Sequence, residues 1–430
     1  MPQASCSKVD TMMTKTVALI GTFDTKGEEF SFLRDRIEST GLQTLMIDVG
    51  VLGAPPFTAD ISREEVVAAA NENLEALKTE RDRGRSIAAM AIGATAILGR
   101  LFEQGAIHGV ASLGGSAGTT IATAAMRALP YGFPRLMVST LASGDVKPYV
   151  GTTDICMMPS VLDIAGLNHV SRRIISNAAG AICGMVASET AVALDQKPAI
   201  AATMFGVTTP CVTAARHTLE ERGYEVLVFH ATGIGGQAME KLIEDGAFRA
   251  VLDITTTELA DELVGGVMSA GAHRLEAAGR KGIPQLVCPG AIDMVNFGPE
   301  ETVPAQFRSR NLYVHNPSVT LMRTTPEECA EIGRITAVKL NRASGPVTVL
   351  IPLRGVSAID KIGGPFYSQE ALNAYRQALR ASLSPAIRLV ELDAHINDEG
   401  FALAAVDLLM ESLGASLEPK VAPIPRRGTR

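Results

Sequence analysis

The stretch Ser112-Leu-Gly-Gly-Ser-Ala-Gly-Thr-Thr120 has the residue types of a phosphate-binding loop. An apolar run from Ile107 to Leu113 leads into it, and a helical pattern follows it. Glycines at such a turn let the backbone approach a ligand closely, and the N-terminus of the helix attracts anions. The alternative is a tight turn that needs small residues for packing. We expect phosphate contacts from Gly114, Gly115, Ser116, Gly118 and Thr119.

A second polar cluster follows the first predicted strand, Thr16–Gly21. Thr22, Asp24 and Lys26 stand there, just before a predicted helix. A lysine can neutralise phosphate charge, and a carboxylate can bind a ribose hydroxyl or a metal ion. The alternative is that Asp24 caps the helix while Lys26 is solvated. Asp48, at the end of the next predicted strand, stands either where nucleotide folds place a ribose-binding acid or in an ordinary turn.

A turn-rich segment follows the predicted strand Arg135–Thr140. It contains Asp145, Thr152 and Asp154 beside two glycines. Such a segment either closes over a nucleotide or is an ordinary connection between elements.

In the second half of the chain, polar residues again follow predicted strands. His230 precedes a second glycine-rich turn, Gly233–Gly236, where a histidine can act as a general acid or base or serve only as a hydrogen-bonding residue. Asp253 and Asp293 also stand at strand ends. Together with Glu258 they could hold a divalent ion, although spacing across separate loops does not assign such a cluster.

The elements that position these residues alternate between strand and helix patterns. This alternation is typical of an α/β fold in which helices cover both faces of a parallel sheet. A chain of 430 residues is too long for one ordinary core, so we place two domains at residues 1–195 and 196–430. We expect a hinge at Leu194–Pro198, a ligand cleft between the domains, and loose tails at residues 1–14 and from Glu418.

Two further predictions concern helices. The mostly apolar stretch Met158–Ala193 predicts a long helix broken near Gly180 and Gly184. The stretch Ala270–Gly279 predicts a shorter helix.

The composition excludes several classes of protein. The net charge is −7 and no basic block with interleaved aromatic residues occurs, so we expect no nucleic-acid partner. The six cysteines are scattered without a CxxC pair, which indicates free thiols in a reducing compartment. No apolar run reaches the roughly 18 residues that a membrane span needs, so we expect a cytoplasmic protein without a membrane partner.

Six motifs, in this order, resemble the Tm-one-like ATP-binding domain family: Gly21-Thr-Phe-Asp-Thr-Lys-Gly27, Leu113-Gly-Gly-Ser-Ala-Gly-Thr-Thr120, Ser139-Thr-Leu-Ala-Ser-Gly-Asp145, Tyr149-Val-Gly-Thr-Thr-Asp154, Phe229-His-Ala-Thr-Gly-Ile-Gly-Gly236 and Pro289-Gly-Ala-Ile-Asp-Met-Val-Asn-Phe297. The resemblance covers nearly the whole chain. It implies two Rossmann-like subdomains, ATP held near the loops of the N-terminal one, and a homodimer. It further implies phosphate and ribose contacts from Thr22, Asp24, Lys26, Gly114, Gly115, Ser116 and Thr119, with Asp145 and Thr152 nearby.

The sequence therefore predicts an ATP-binding α/β protein that acts on or senses a small metabolite. If it is an enzyme, the expected chemistry is ATP-dependent phosphoryl transfer to the metabolite, or its activation. Mg²⁺ would bridge the phosphates, Lys26 would neutralise charge, and His230, Asp253 or Asp293 would act as base. Two alternatives stay open: a non-catalytic module whose dimer ATP stabilises, and a nucleotide-independent epimerase or lyase that acts on a sugar or an acid.

Overall fold

The computed structural model describes residues 14–188 and 197–417, with side chains described to residue 414. The chain divides into two compact units, Met1–Val192 and Ala193–Arg430. The predicted tails and the predicted hinge at Leu194–Pro198 lie largely outside the described residues. Each unit is an α/β structure built on a parallel sheet, which confirms the predicted fold class of two Rossmann-like units.

The first unit has a five-stranded parallel sheet in the order β2-β1-β3-β4-β5. Its elements are β1 (Thr16–Gly21), α1 (Phe23–Glu38), β2 (Gln43–Asp48), α2 (Arg63–Ala69), α3 (Leu74–Glu80), α4 (Arg83–Glu103), β3 (Gly109–Gly114), α5 (Ser116–Arg127), β4 (Arg135–Ser139), α6 (Lys147–Val150), β5 (Cys156–Pro159) and α7 (His169–Ala187).

The order of these strands determines where a ligand can bind. From β1 the chain moves to β2 on one side, and then returns to β3 on the other side of β1. The carboxyl ends of β1 and β3 therefore form a topological switch point, the usual ligand crevice of an open parallel sheet. Thr22–Lys26 follow β1 directly, as the N-cap and first turn of α1, and Gly115–Gly118 follow β3 in the same way at the start of α5. The parallel pairing of β1 and β3 therefore brings both predicted clusters to one edge of the sheet.

Two apolar layers cover the faces of this sheet. On one face, α2 to α5 pack over strand residues such as Ala18, Ile20 and Val110. On the other face, α1 and α7 pack over Val17, Leu19 and others. Strands buried on both faces read as continuous apolar runs, which is why their positions are predictable from sequence.

Helix α4 is the one helix in the described part of the chain that is long and apolar enough to cross a membrane, by length and composition alone. Met90, Ala94 and Leu98 on α4 are fully buried in the core of the first unit. A core helix of a folded domain meets the same criterion, and the packing of α4 is that of a core helix.

The second unit has a six-stranded parallel sheet in the order β14-β13-β9-β8-β6-β7 and a three-stranded antiparallel sheet in the order β10-β12-β11. Its strands are β6 (Ala199–Met204), β7 (Glu225–His230), β8 (Ala250–Thr255), β9 (Gln285–Gly290), β10 (Met294–Phe297), β11 (Leu312–Asn316), β12 (Val319–Arg323), β13 (Val347–Pro352) and β14 (Arg388–Leu392). Its helices are α8 (Thr209–Glu221), α9 (Ile234–Glu244), α10 (Glu258–Val264), α11 (Ala277–Lys281), α12 (Pro326–Leu340), α13 (Gln369–Ser382) and α14 (Glu399–Leu417).

The two helix predictions, Met158–Ala193 and Ala270–Gly279, were correct only in part. The start of Met158–Ala193 belongs to β5 and a connecting loop, and α7 runs from His169 to Ala187 without a break at Gly180 or Gly184. Residues 189–193 of that prediction lie outside the described residues. Most of Ala270–Gly279 is irregular, because Gly271 and Leu275 have positive φ angles that an α-helix excludes.

Candidate functional site

A cavity of about 860 Å³ opens at the switch point of the first sheet. Its wall includes the loop after β1, the chain after β2, the α3–α4 connection and the first turn of α5. The volume lies in the range of small-molecule and cofactor sites. The structure thus places Thr22, Asp24, Lys26, Gly115, Ser116 and Gly118 around one cavity.

The N-terminus of α5 is available to an anion. Gly115 is the N-cap residue and supplies no side-chain hydrogen bond to the helix. The backbone N–H groups of the first helical turn have no partner within the helix, so those of Ser116, Ala117 and Gly118 remain for a ligand. All three residues line the cavity.

The glycines of this loop have different roles. A Cβ added to Gly114 would lie 3.2 Å from the Cα of Gly118, so Gly114 serves close packing between strand and helix. A Cβ on Gly115 would meet only Thr140 Oγ1, at 3.8 Å. The fold therefore does not require a glycine at 115, and the missing side chain instead leaves room at the cavity wall.

Thr119 lies behind the loop and does not line the cavity. Its side chain is fully buried, and its Oγ1 lies 2.8 Å from Gly115 O, to which it donates, and 2.7 Å from Ser139 Oγ. These bonds fix the loop to the end of β4. Thr119 thus acts as a positioning residue in this structure, not as the direct phosphate contact that the sequence predicts.

Asp24 and Lys26, in the first turn of α1, also line the cavity. Asp24 Oδ2 accepts hydrogen bonds from the N–H groups of Leu52 at 2.7 Å and Gly53 at 3.2 Å, whereas Oδ1 is buried without a partner. Lys26 donates through Nζ to the carbonyl of Ile164, across the sheet edge. Asp24 therefore positions the residues after β2, and its Oδ1 can still accept a hydrogen bond.

Asp48 has a structural role. It is 1% exposed, and its Oδ1 accepts from the N–H groups of Phe23 at 3.2 Å and Gly50 at 2.9 Å. Burial raises the pKa of this carboxyl above its usual range, against the lowering effect of these two bonds. Asp48 joins the loop after β1 to the end of β2, which agrees with the turn alternative and not with ribose binding.

Sequence reasoning missed the cationic side of the cavity. Lys78, Arg81 and Arg83, from the α3–α4 connection, line it. Lys78 pairs with Glu75 at 2.8 Å, whereas the described residues include no ion-pair partner for Arg81 or Arg83. The only available signal was the charge-rich run Lys78–Arg85, which resembles an ordinary solvated segment.

Apolar residues form another part of the same wall. Val51, Leu77 and Ile87 contribute side chains to it. A cavity with cations and an uncapped helix N-terminus at one part, and aliphatic groups at another, suits a ligand that has both a phosphate and a flat apolar ring.

Asp145 and Thr152 do not line this cavity. Asp145 Oδ1 accepts from the N–H of Lys147 at 3.0 Å, and the carbonyl of Thr152 accepts from Tyr131 Oη at 2.9 Å. The first contact lies within the connection between β4 and β5, and the second joins that connection to the α5–β4 loop, which agrees with the alternative of an ordinary connection.

The second glycine-rich turn already holds an anion of the chain itself. Glu258 Oε1 accepts from the N–H groups of Gly233 at 2.7 Å and Gly236 at 3.1 Å. Burial raises the pKa of Glu258, against the lowering effect of Arg274. His230 ends β7 on the surface, with its ring 5.5 Å from that of Phe205.

Asp253 belongs to the same buried network. Arg274 donates to its Oδ2 from Nη1 at 2.6 Å and to its Oδ1 from Nη2 at 2.7 Å, and it also donates to Glu258 at 2.7 Å. Thr203 Oγ1 donates to Asp253 Oδ1 as well, at 2.7 Å. Both oxygens of Asp253 are thus occupied, and this geometry suits a structural ion pair better than a free base.

The predicted cation site of Asp253, Glu258 and Asp293 does not form. The first two bind Arg274, whereas Asp293 Oδ2 accepts from Ser357 Oγ at 2.8 Å. In the described part of the chain, no group of three or more acidic, histidine or cysteine residues is arranged to hold a metal ion. Burial, with the nearby Asp360, raises the pKa of Asp293 to about 7.

Comparisons with known proteins identify the relatives of this chain. A UPF0261 protein of Clostridium tetani is 52% identical over 402 residues, which cover 93% of this chain and all of the relative. The ToMV resistance protein Tm-1(GCR237) of Solanum lycopersicum is 40% identical over 417 residues, which cover 92% of this chain and 55% of the tomato protein. Among solved structures, a UDP-N-acetylglucosamine 2-epimerase from Rickettsia bellii matches 94% of this chain and 96% of its own, at 10% identity and a TM-score of 0.22.

Two family models together span almost all of the described chain. The N-terminal domain model of the uncharacterised protein family UPF0261 matches residues 15–191, and the C-terminal domain model of the same family matches residues 197–413. The 40% identity to the tomato Tm-1 protein confirms the family resemblance that the motifs predict. The chain therefore belongs to the uncharacterised protein family UPF0261, the family that its Clostridium relative is named for.

Proposed function

We propose that this chain binds ATP in the cavity at the switch point of the first sheet. The observation that carries the proposal is the uncapped N-terminus of α5, with Gly115 as its N-cap, inside a cavity that Lys26, Arg81 and Arg83 also line. Backbone N–H groups at a helix N-terminus together with arginine and lysine are the usual recognition elements for phosphate.

The remaining wall supports a nucleotide over a simple phosphate. The triphosphate would lie against Gly115–Gly118, and the base would pack on the aliphatic wall of Val51, Leu77 and Ile87. Asp24 Oδ1, buried and without a hydrogen-bond partner, fits a ribose hydroxyl or the Mg²⁺ that accompanies ATP. Mg²⁺ would neutralise phosphate charge there.

Phosphoryl transfer to a metabolite rests on Lys26, the one proposed catalytic residue that lines this cavity. The rate of ATP turnover by Lys26→Gln, compared with that of the wild type, tests this role.

Slow or absent ATP turnover by the wild type, with a melting temperature that rises with ATP, would favour the non-catalytic module. Absence of nucleotide binding, with binding of a sugar or carboxylate instead, would favour the epimerase or lyase alternative. The homodimer and the cytoplasmic location stay predictions, and light scattering of the protein with and without ATP tests the first.

The decisive experiment is calorimetric titration of Gly115→Val with ATP and Mg²⁺. The branched side chain adds bulk at a residue that lines the cavity beside the first turn of α5, while the backbone at 115 has φ of −83°, which valine tolerates. We expect a loss of affinity of about 100-fold or more, the equivalent of about two charge-assisted hydrogen bonds.

Gly99→Ala is the matched control, because it lies on α4 and its added Cβ meets no atom within 4 Å. We expect this variant to bind ATP as the wild type does. Unchanged affinity in Gly115→Val, at a normal circular dichroism spectrum, would refute binding at this loop.

A further inference from the structure

We propose that the segment Val356–Ser368 of the second unit, hereafter the 356–368 loop, is a proton-dependent latch. The loop stays closed over the end of β9 while Asp293 carries a proton, and it opens more readily when Asp293 ionises. This inference is independent of the proposed nucleotide site.

A single carboxylate closes the loop upon itself. Asp360 Oδ2 accepts from the N–H of Val356 at 3.0 Å, and Asp360 Oδ1 accepts from the N–H of Ser368 at 3.2 Å. The two ends of the loop are therefore held together by one side chain, as in other compact loops whose ends lie close.

The loop is attached to the sheet edge through ionisable groups. Ser357 Oγ donates to Asp293 Oδ2 at 2.8 Å, and Arg323 Nε donates to the carbonyl of Phe366 at 2.6 Å. Arg323 also donates to the backbone carbonyl of Asp293 at 3.3 Å. Asp293 and Arg323 thus hold opposite ends of the loop.

The charges at this attachment do not balance unless one proton is bound. Asp293 and Asp360 are 1% and 2% exposed, and the guanidinium of Arg323 lies 3.9 Å from Asp360 Oδ1. Two carboxylates and one guanidinium leave a net negative charge in the interior. Asp293 Oδ1 is, moreover, buried without a donor. A proton on Asp293 removes both defects, because an uncharged acid costs far less to bury than a bare carboxylate.

Among the described residues around Asp293 and Asp360, none besides Arg323 supplies a permanent positive charge. His395 Nε2 lies 2.9 Å from the carbonyl of Ser357, and its charge, when present, acts on Asp360. Cys329 Sγ lies 3.2 Å from Thr324 Oγ1, and burial raises the pKa of its thiol, so it stays neutral. Burial and Asp360 together raise the pKa of Asp293 to about 7, and burial also raises the pKa of Asp360.

The tip of the loop offers little resistance to opening. Ile362 is 84% exposed, and Lys361 and Gly363 beside it are exposed as well. The rest of the loop is held by the buried side chains of Val356 and Phe366, by the N–H of Ala358, which donates to the carbonyl of Val207 at 2.9 Å, and by the attachment at Asp293, Arg323 and Asp360. The charge state of the buried acid pair changes only the last of these contributions, and through it how readily the loop opens.

The direction of the pH effect follows from linkage. In an open loop the hydrated Asp293 has an ordinary pKa of about 3.9, so the closed form binds the proton more tightly. The closed form is favoured below that ordinary value and loses its advantage as the pH rises toward the raised pKa. The equilibrium constant for opening should rise about tenfold per pH unit between about pH 5 and pH 7, and level off above that range.

Hydrogen exchange of the full chain tests this. Protection factors, after division by the intrinsic exchange rate at each pH, are measured for peptides that contain the N–H groups of Val356, Phe366 and Ser368. We expect them to fall about tenfold per pH unit over that range in the wild type. A protection factor that does not change with pH would overturn the proposal.

Three variants locate the proton. Asp293→Asn should abolish the tenfold fall in protection per pH unit, whereas Asp261→Asn, at another buried acid, should leave the slope unchanged. A slope that persists in Asp293→Asn would refute the assignment. If Asp293→Asn does not fold, Ser357→Ala decides: it removes a bond that lowers the pKa of Asp293, so the fall in protection should extend to higher pH. An unshifted profile in that variant would count against the latch.

Discussion

At the scale of single residues, the two glycine-rich turns show that similar sequences can differ in what they bind. In the second unit the N–H groups of Gly233 and Gly236 are already satisfied by Glu258. In the first unit the N-cap Gly115 faces a cavity, with no side-chain cap. The carboxylate of Glu258 thus fills the turn in the second unit, whereas the corresponding turn in the first unit is open to a ligand. The sequence predicts both turns but not this difference, because Glu258 belongs to a separate element, the start of α10.

Arg81 and Arg83, which have no ion-pair partner among the described residues, carry the first residue-scale prediction. Arg81→Ala and Arg83→Ala each remove a cation from the cavity wall. Each should weaken ATP binding about 10-fold or more, since a charge-assisted hydrogen bond contributes about 1.5–3 kcal/mol. Calorimetric titration at fixed ionic strength measures the effect.

The control for these variants is Arg36→Ala, an exposed arginine near the end of α1 that does not line the cavity. It changes the net charge equally and should leave the affinity unchanged. If all three variants lose affinity alike, the effect is one of net charge and the assigned cationic wall is wrong.

At the scale of elements, buried parallel strands were the most predictable part of the chain. Thr16–Gly21 was predicted with the bounds that the structure has, because its apolar run is continuous. In the antiparallel sheet, β11 was predicted as a short strand at Leu312–His315, whereas β10 and β12 were missed. The two missed strands have only four and five residues, so their hydrophobic patterns resemble loops. Boundaries next to glycine loops were also displaced: α5 begins at Ser116, so residues predicted as loop form its first turn.

The packing of α4 yields a prediction for stability with its own control on the same helix. A Cβ on Gly93 would lie 1.9 Å from the carbonyl oxygen of Val66, so α2 and α4 approach closely at this point. Gly93→Ala should destabilise the protein by about 1–3 kcal/mol, because the backbone of one helix must move. Gly99→Ala has open space and should instead stabilise it by up to about 1 kcal/mol.

Urea denaturation followed by circular dichroism measures both free energies of unfolding, since the chain has no tryptophan to serve as a fluorescence probe. Equal effects of the two substitutions would mean that α2 and α4 are not in this close contact.

At the scale of the whole molecule, the alternation of elements and the chain length were sufficient to predict two α/β units with parallel sheets. The site within the first unit was predictable in part, because strand ends on one sheet edge converge. Its arginines were not, since α3 and α4 reach the cavity through tertiary packing. The buried networks around Arg274 and Asp293 were not predictable either, because each includes a contact between residues that are more than 20 positions apart in the chain.

Buried acids in the second unit give the whole protein an unusual pH dependence. Burial raises the pKa of Asp261 to about 7, and of Asp293 to about 7. The ordinary value in the unfolded chain is about 3.9, so the folded protein binds these protons more tightly. The stability they support is complete below about pH 4 and is lost as the pH rises toward about 7. The exposed carboxyls whose pKa values are lowered affect the stability of the protein only at lower pH.

The free energy of unfolding should therefore fall between about pH 5 and pH 7, by up to about 1.4 kcal/mol per pH unit for each acid. Asp261→Asn should remove one share of this slope. The substituted amide can still accept through Oδ1 from the N–H groups of Met268 and Asn296. Its new donor would replace Oδ2, which faces Asn296 Nδ2, so the side-chain amide of Asn296 must flip to present its unpartnered Oδ1. Urea denaturation across this pH range measures the slope. A stability that rises with pH, or a slope unchanged in Asp261→Asn, would show that these acids are ionised in the folded protein.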